Sequence, residues 1–89
     1  MIAVRNKVEP DMCICIDQLE NSFTIEVALP GVNKESIKLK VDAKCLILFA
    51  AADNIEYEKY ISFCYPVVAD KAKAVYEHGF LRIKVPLRA

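Results

Sequence analysis

The sequence is poor in the residues that most catalytic and ligand-binding devices need. It has two glycines, Gly31 and Gly79, in 89 residues. A phosphate cradle needs a glycine-rich loop, and none is present, nor is any Gly-Lys-Ser/Thr run. There is one histidine, His78, with no Ser/His/Asp arrangement around it. Nucleophilic catalysis needs such a base beside its nucleophile. The chain is therefore expected not to be an enzyme, with no catalytic residue and no cofactor. Charge of one sign is lacking too: 12 basic and 12 acidic residues leave a formal charge of zero. No basic stripe points to nucleic acid and no polybasic helix to a membrane surface. The longest apolar runs, such as 45–52, are too short for a helical span. The N-terminus has no secretory apolar region, so a cytoplasmic location is expected.

Four cysteines are present, Cys13, Cys15, Cys45 and Cys64, each inside an apolar run. They read as small buried hydrophobes. Cys13 and Cys15 would share one face of a strand. No second Cys or His pair stands at ligand spacing, and zinc takes four ligands, so no metal site is expected.

Hydrophobic residues make up 55% of the chain, a surplus for a single domain of this size. It implies an efficient two-layer core or a surface buried against a partner. Period two dominates. Phe23, Ile25, Val27 and Leu29 alternate with Thr24, Glu26 and Ala28. Ile37, Leu39 and Val41 alternate with Lys38 and Lys40, and Leu81, Ile83 and Val85 with Arg82 and Lys84. That is the pattern of half-buried strands. Pro10, Pro30, Pro66 and Pro86 bound the apolar runs and interrupt none. Strands are expected near 12–17, 22–29, 36–41, 45–50, 57–65, 72–76 and 80–86. The uniformly apolar runs at 12–17, 45–50 and 57–65 fit strands covered on both faces or by a partner. A helix over 69–77 is the local alternative, on the propensity of Asp70 to Ala74. The sum is an all-β protein, an immunoglobulin-like antiparallel β-sandwich of about seven strands. Residues 1–9 form a short lead and 10–87 the domain.

Two turns stand out. Pro30-Gly31 suits a type II turn, and His78-Gly79 a tight reversal between two strands. Gly79 is expected to take positive φ, and Leu81 to be buried.

The stretch Ala74-x-x-x-x-Gly79-x-Leu81 resembles the signature of the small heat-shock protein, or alpha-crystallin domain, family, with His78 where Asn is usual and Phe80 where Val is usual. Ala28-Leu29-Pro30-Gly31-Val32, Cys45-Leu46-Ile47-Leu48, Tyr65-Pro66-Val67-Val68 and Leu81 to Pro86 are similar to its other motifs, in the same order. The likeness covers about 10–87. It implies the HSP20-like sandwich, with Ala74, Gly79, Leu81, Pro30 and Gly31 as structural hallmarks. It implies an ATP-independent chaperone of the stress response, a holdase that binds unfolding proteins. It also implies a client or partner groove between the strand carrying Ile37 and Leu39 and the segment carrying Lys71, Lys73 and Val75.

The chain departs from that pattern in four ways. It has little ahead of the first strand, no Ile-x-Ile tail after Leu87, and only 51–56 where many members carry an exchanged strand. Ile61 stands where an arginine is usual. These departures favour a monomer or small homo-oligomer, such as a dimer, over a large shell. They also favour an alternative, a CS-like co-chaperone module that docks on a folded chaperone or a host protein such as an ATPase.

Overall fold

The computed structural model describes residues 6–88. The first five residues of the expected lead lie outside that range, as does Ala89. Among the described residues eight strands form: β1 (Asn6–Val8), β2 (Met12–Asp17), β3 (Ser22–Ala28), β4 (Lys38–Val41), β5 (Cys45–Ala52), β6 (Ile55–Ser62), β7 (Lys73–Glu77) and β8 (Phe80–Pro86). They make two four-stranded sheets, ordered β1-β6-β5-β4 and β2-β3-β8-β7. The expected all-β sandwich is present, with a short strand added at the N-terminal side. β1 runs parallel to β6, pairing Asn6 with Ile55 and Val8 with Tyr57. Three residues without alternation carry no periodic signal, so the sequence does not announce this strand. The remaining strand pairs are antiparallel.

The core follows from the alternation. Phe23, Ile25 and Val27 pair in register with Val85, Ile83 and Leu81, and all six are buried. Leu46 and Leu48 supply the facing layer with Tyr57 and Ile61. Ile61 is 6% exposed and belongs to the core. Phe23 and Phe63 stack with ring centroids 5.2 Å apart across the end of the sandwich.

The turns do what their residues dictate. Gly31 has φ 71° behind Pro30, and the Val32 N–H donates to the Leu29 carbonyl, as in a type II turn. His78 and Gly79 have φ 52° and 81°. Two positive values define the hairpin turn whose twist matches the flanking strands. The turn is pinned from outside. The Leu29 N–H donates to the Gly79 carbonyl, and the Tyr76 hydroxyl donates to the Leu29 carbonyl at 2.6 Å. Ala69–Lys71 forms a single 3-10 turn and β7 follows it, so the helical propensity of 69–77 yields to pairing with β8. β6 stops at Ser62 rather than at 65, because Pro66 cannot donate to a ladder and the Val67 N–H turns to the Ala43 carbonyl. β5 and β6 are joined by Asp53-Asn54 alone.

Connections fix which sheet edges adjoin. Residues 9–11 link β1, an edge of one sheet, to β2, an edge of the other. Val8 to Met12 spans at most about 14 Å, enough to cross between sheets about 10 Å apart but not to the far edge as well. So β1 and β2 border one side of the sandwich, and β4 and β7 the other.

Candidate functional site: the strand edges

An edge strand offers unpaired N–H and C=O groups to another chain unless it is guarded. The two sides of this sandwich differ sharply in that respect. On the β4–β7 side, Lys38 and Lys40 stand on β4, Lys73 on β7, and Lys71 just before it. Ile37, Leu39 and Val41 turn inward from β4 and pack against the core. Inward from β7 come Ala74 and Tyr76, opposite Ile83 and Leu81. Ala74 faces inward and is still exposed at the β7 edge.

The five groove residues expected from the resemblance therefore separate. Ile37 and Leu39 line the inner face. Lys71 is exposed on the 3-10 turn. Lys73 and Val75 point to the outer face, with Val75 paired to Arg82 and 54% exposed. Strand parity is the reason: residues 73, 75 and 77 share one face and 74 and 76 the other. Val75 instead joins Glu26, Glu77, His78, Phe80 and Arg82 around an open depression on the outer face. Arg82 there pairs with Glu26 at 3.6 Å.

The β1–β2 side is different. β2 reads Met-Cys-Ile-Cys-Ile-Asp, with no lysine, no proline and no glycine. Met12, Ile14 and Ile16 face the interior in register with Val27, Ile25 and Phe23. Yet Ile14 is 41% and Ile16 is 45% exposed. Among the described residues β1, on the opposite sheet, is three residues long against six for β2, so they leave the inner face of β2 incompletely roofed. Of the two expectations for this run, cover on both faces is not met within the chain, and cover by a partner is left open. Nearby, Val8 and Tyr60 are exposed as well, and Lys59 pairs with Glu9, whose carboxyl that hydrogen bond and charge hold below its usual range.

The cysteines correct the sequence expectation. Cys13, Cys15 and Cys64 are exposed and Cys45 is half-buried. Cys13 and Cys15 alternate with the isoleucines and so fall on the outer face of an edge strand, where burial tendency has no core to act on. Their Sγ atoms lie 3.9 Å apart. Hydrogen bonding with Cys15, that thiol's charge and, more weakly, Glu26 push the Cys13 thiol above its usual value. On the outer face of the other sheet, Phe49 is 43% exposed between Lys38 and Glu58. A hydrogen bond with Cys45 raises the phenol of Tyr60 beyond it.

No protein-family model matches the sequence, and no curated protein sequence matches it significantly. Solved structures do match. Heat shock protein 16.0 of Schizosaccharomyces pombe superposes with a TM-score of 0.84 at 18% identity, over 92% of this chain and 68% of that one. HSP18.5 of E. histolytica gives 0.82 at 16%, over 92% and 90%. A small heat-shock protein of Xylella fastidiosa gives 0.76 at 21%, over 90% and 86%. The chain has the alpha-crystallin β-sandwich fold of the small heat-shock proteins.

Proposed function

We propose that this domain is an ATP-independent holdase that binds extended apolar segments of unfolding proteins and so suppresses their aggregation. One observation carries the reading: the unguarded edge of β2, with Ile14 and Ile16 facing inward and half open to solvent. An extended segment added there would hydrogen-bond to the free side of β2 and cover both isoleucines. The fold shared with small heat-shock proteins supports the same reading. Such binding needs no nucleotide. The client is selected by its extended, apolar and uncommitted state rather than by one sequence. The β4–β7 side, with Ile37 and Leu39 turned inward and Lys71 exposed beside them, is proposed as a second and more basic surface. It would suit a segment of mixed acidic and aliphatic residues. Lys73 and Val75, both on the outer face of β7, stand apart from that inward surface.

The two-residue turn Asp53-Asn54 favours a second reading. It leaves no loop to exchange between subunits, which suits a compact module docked on one folded partner. The test is light scattering of a heat-stressed client with and without equimolar domain. Suppressed aggregation supports the holdase. No suppression, together with a fixed-stoichiometry complex with one folded protein, supports docking instead.

A further inference from the structure

We propose that the β2 edge is a metal-dependent pairing surface for a second copy of this chain, in which Cys13 and Cys15 of both copies together hold one zinc ion. The inference is independent of the chaperone reading and begins with the thiol pair. In a tetrahedral zinc–thiolate centre each Zn–S bond is about 2.3 Å, which places any two sulfurs about 3.8 Å apart. The Sγ atoms of Cys13 and Cys15 are 3.9 Å apart on the exposed outer face. One strand thus presents a two-sulfur bite of the required size. Among the described residues no third Cys, His, Asp or Glu joins these two in a metal-sized cluster. The only carboxylate directly opposite is Glu26, which pairs with Arg82.

The missing pair has a natural source. Among the described residues β2 is an edge strand with a free side, and its sequence is nearly symmetric about Ile14. Antiparallel pairing of two copies about Ile14 sets Cys13 opposite the partner's Cys15, and Cys15 opposite the partner's Cys13. Directly opposed residues have Cβ atoms about 4.5–5.5 Å apart. Four thiols would then meet on the outer face. On the inner face the same register sets Ile14 against the partner's Ile14, and Met12 against the partner's Ile16. Those contacts cover the two isoleucines that the sandwich leaves open. The contact is isologous and closes as a dimer.

The metal is needed for two reasons. A six-residue strand edge is small beside the roughly 1,200–2,000 Å² of stable interfaces. The register also brings Asp11 opposite the partner's Asp17, and opposed like charges destabilise a strand pair. Zinc enters as the four thiols release four protons to solvent, and the ion ties the strands together.

The experiment titrates zinc into the reduced chain in chelator-free buffer. It reads bound metal per chain, mass by sedimentation equilibrium and the spectrum after cobalt substitution. One metal per two chains, a dimer that reverts to monomer on chelation, and thiolate-to-cobalt charge-transfer bands are expected. Cys13→Ser with Cys15→Ser should lose all three while keeping its thermal melt, because both side chains are exposed. Cys64→Ser should lose none. The proposal is overturned by no zinc uptake, by one zinc per chain without a mass change, by a dimer that survives chelation, or by binding that persists in the double serine variant.

Discussion

Placing an inward-pointing lysine at Ile14 and at Ile16 tests whether the open β2 edge is the working surface. A lysine aimed inward is a device by which natural edge strands refuse a further strand. The cost to the fold follows from exposure. Ile14 is 41% and Ile16 45% exposed, so a little over half of each side chain is covered. Full burial of such a side chain is worth about 1.5–3 kcal/mol, and these two contribute about 1–1.5 kcal/mol each. Lysine stems retain part of that cover, which leaves a net loss of about 1–2 kcal/mol. At roughly 4–8 °C per kcal/mol for a domain this size, Ile14→Lys with Ile16→Lys should melt about 5–15 °C lower and still fold at 25 °C. Client aggregation followed by light scattering at 25 °C, with a chemically denatured client, should then lose its protection. Val75→Lys is the control, being more exposed and on the outer face of the opposite edge strand. If the double variant folds and protects like the parent, the edge argument is wrong. If Val75→Lys loses protection equally, protection depends on apolar surface in general and not on this edge.

Three further outcomes are expected. Gly79→Val should lower stability by about 1–3 kcal/mol, since φ 81° is closed to a β-branched residue. The strain is conformational, because an added Cβ would meet only the Pro30 Cα at 3.7 Å, an ordinary contact; an unchanged thermal melt would refute it. Leu48→Ala, at a fully buried position between the sheets, should cost about 2–5 kcal/mol in urea unfolding; a loss under 1 kcal/mol would show a core that collapses around the gap. The Asp42 carboxylate accepts the Lys44 and Cys45 N–H groups in the β4–β5 turn, and these bonds hold its pKa below the usual value. A depressed folded pKa gives stability that is present above the unfolded pKa and lost as pH falls through the folded one. Asp42→Ala should therefore reduce stability at neutral pH and match the parent at pH 2 in paired melts, and an equal deficit at both pH values would exclude the charge.

The sequence carried the core and the turns because each left a local mark. Alternation at 23–29 and 81–85 names the buried face directly, and those residues are the core. Pro30-Gly31 and His78-Gly79 mark turns through backbone chemistry that side-chain context does not override. What parity decides was also readable but is easily misassigned. Val75 and Tyr76 are adjacent, yet only Tyr76 faces inward. What neighbours decide was not readable. The same Cys and Ile types that are buried in a central strand are open on β2, because exposure there depends on how far the opposite sheet extends. β1 was invisible for a related reason, since a three-residue parallel pairing is specified by its partner and not by its own pattern.

The two sides of the sandwich divide the problem that any open sheet faces. β4 carries a lysine at each outward position, Lys38 and Lys40, and Lys71 and Lys73 stand at the β7 side. A strand docking there, as proposed, would meet four ammonium groups and so need compensating carboxylates. β2 carries no such guard, and its two acidic residues stand at the ends, Asp11 just before it and Asp17 as its last residue. Asp17 is already committed, accepting the Leu19 and Glu20 N–H groups in the following turn. The middle of β2 is therefore neutral, apolar and thiol-bearing, which admits an uncharged extended segment. If both proposals hold, a client segment and a second copy would compete for that one row of backbone groups, so zinc that favours the second copy should weaken client protection by the parent chain. In the variant with serine at 13 and 15, protection should be the same with or without zinc. Zinc-sensitive protection in that variant would sever the link between the thiols and the edge.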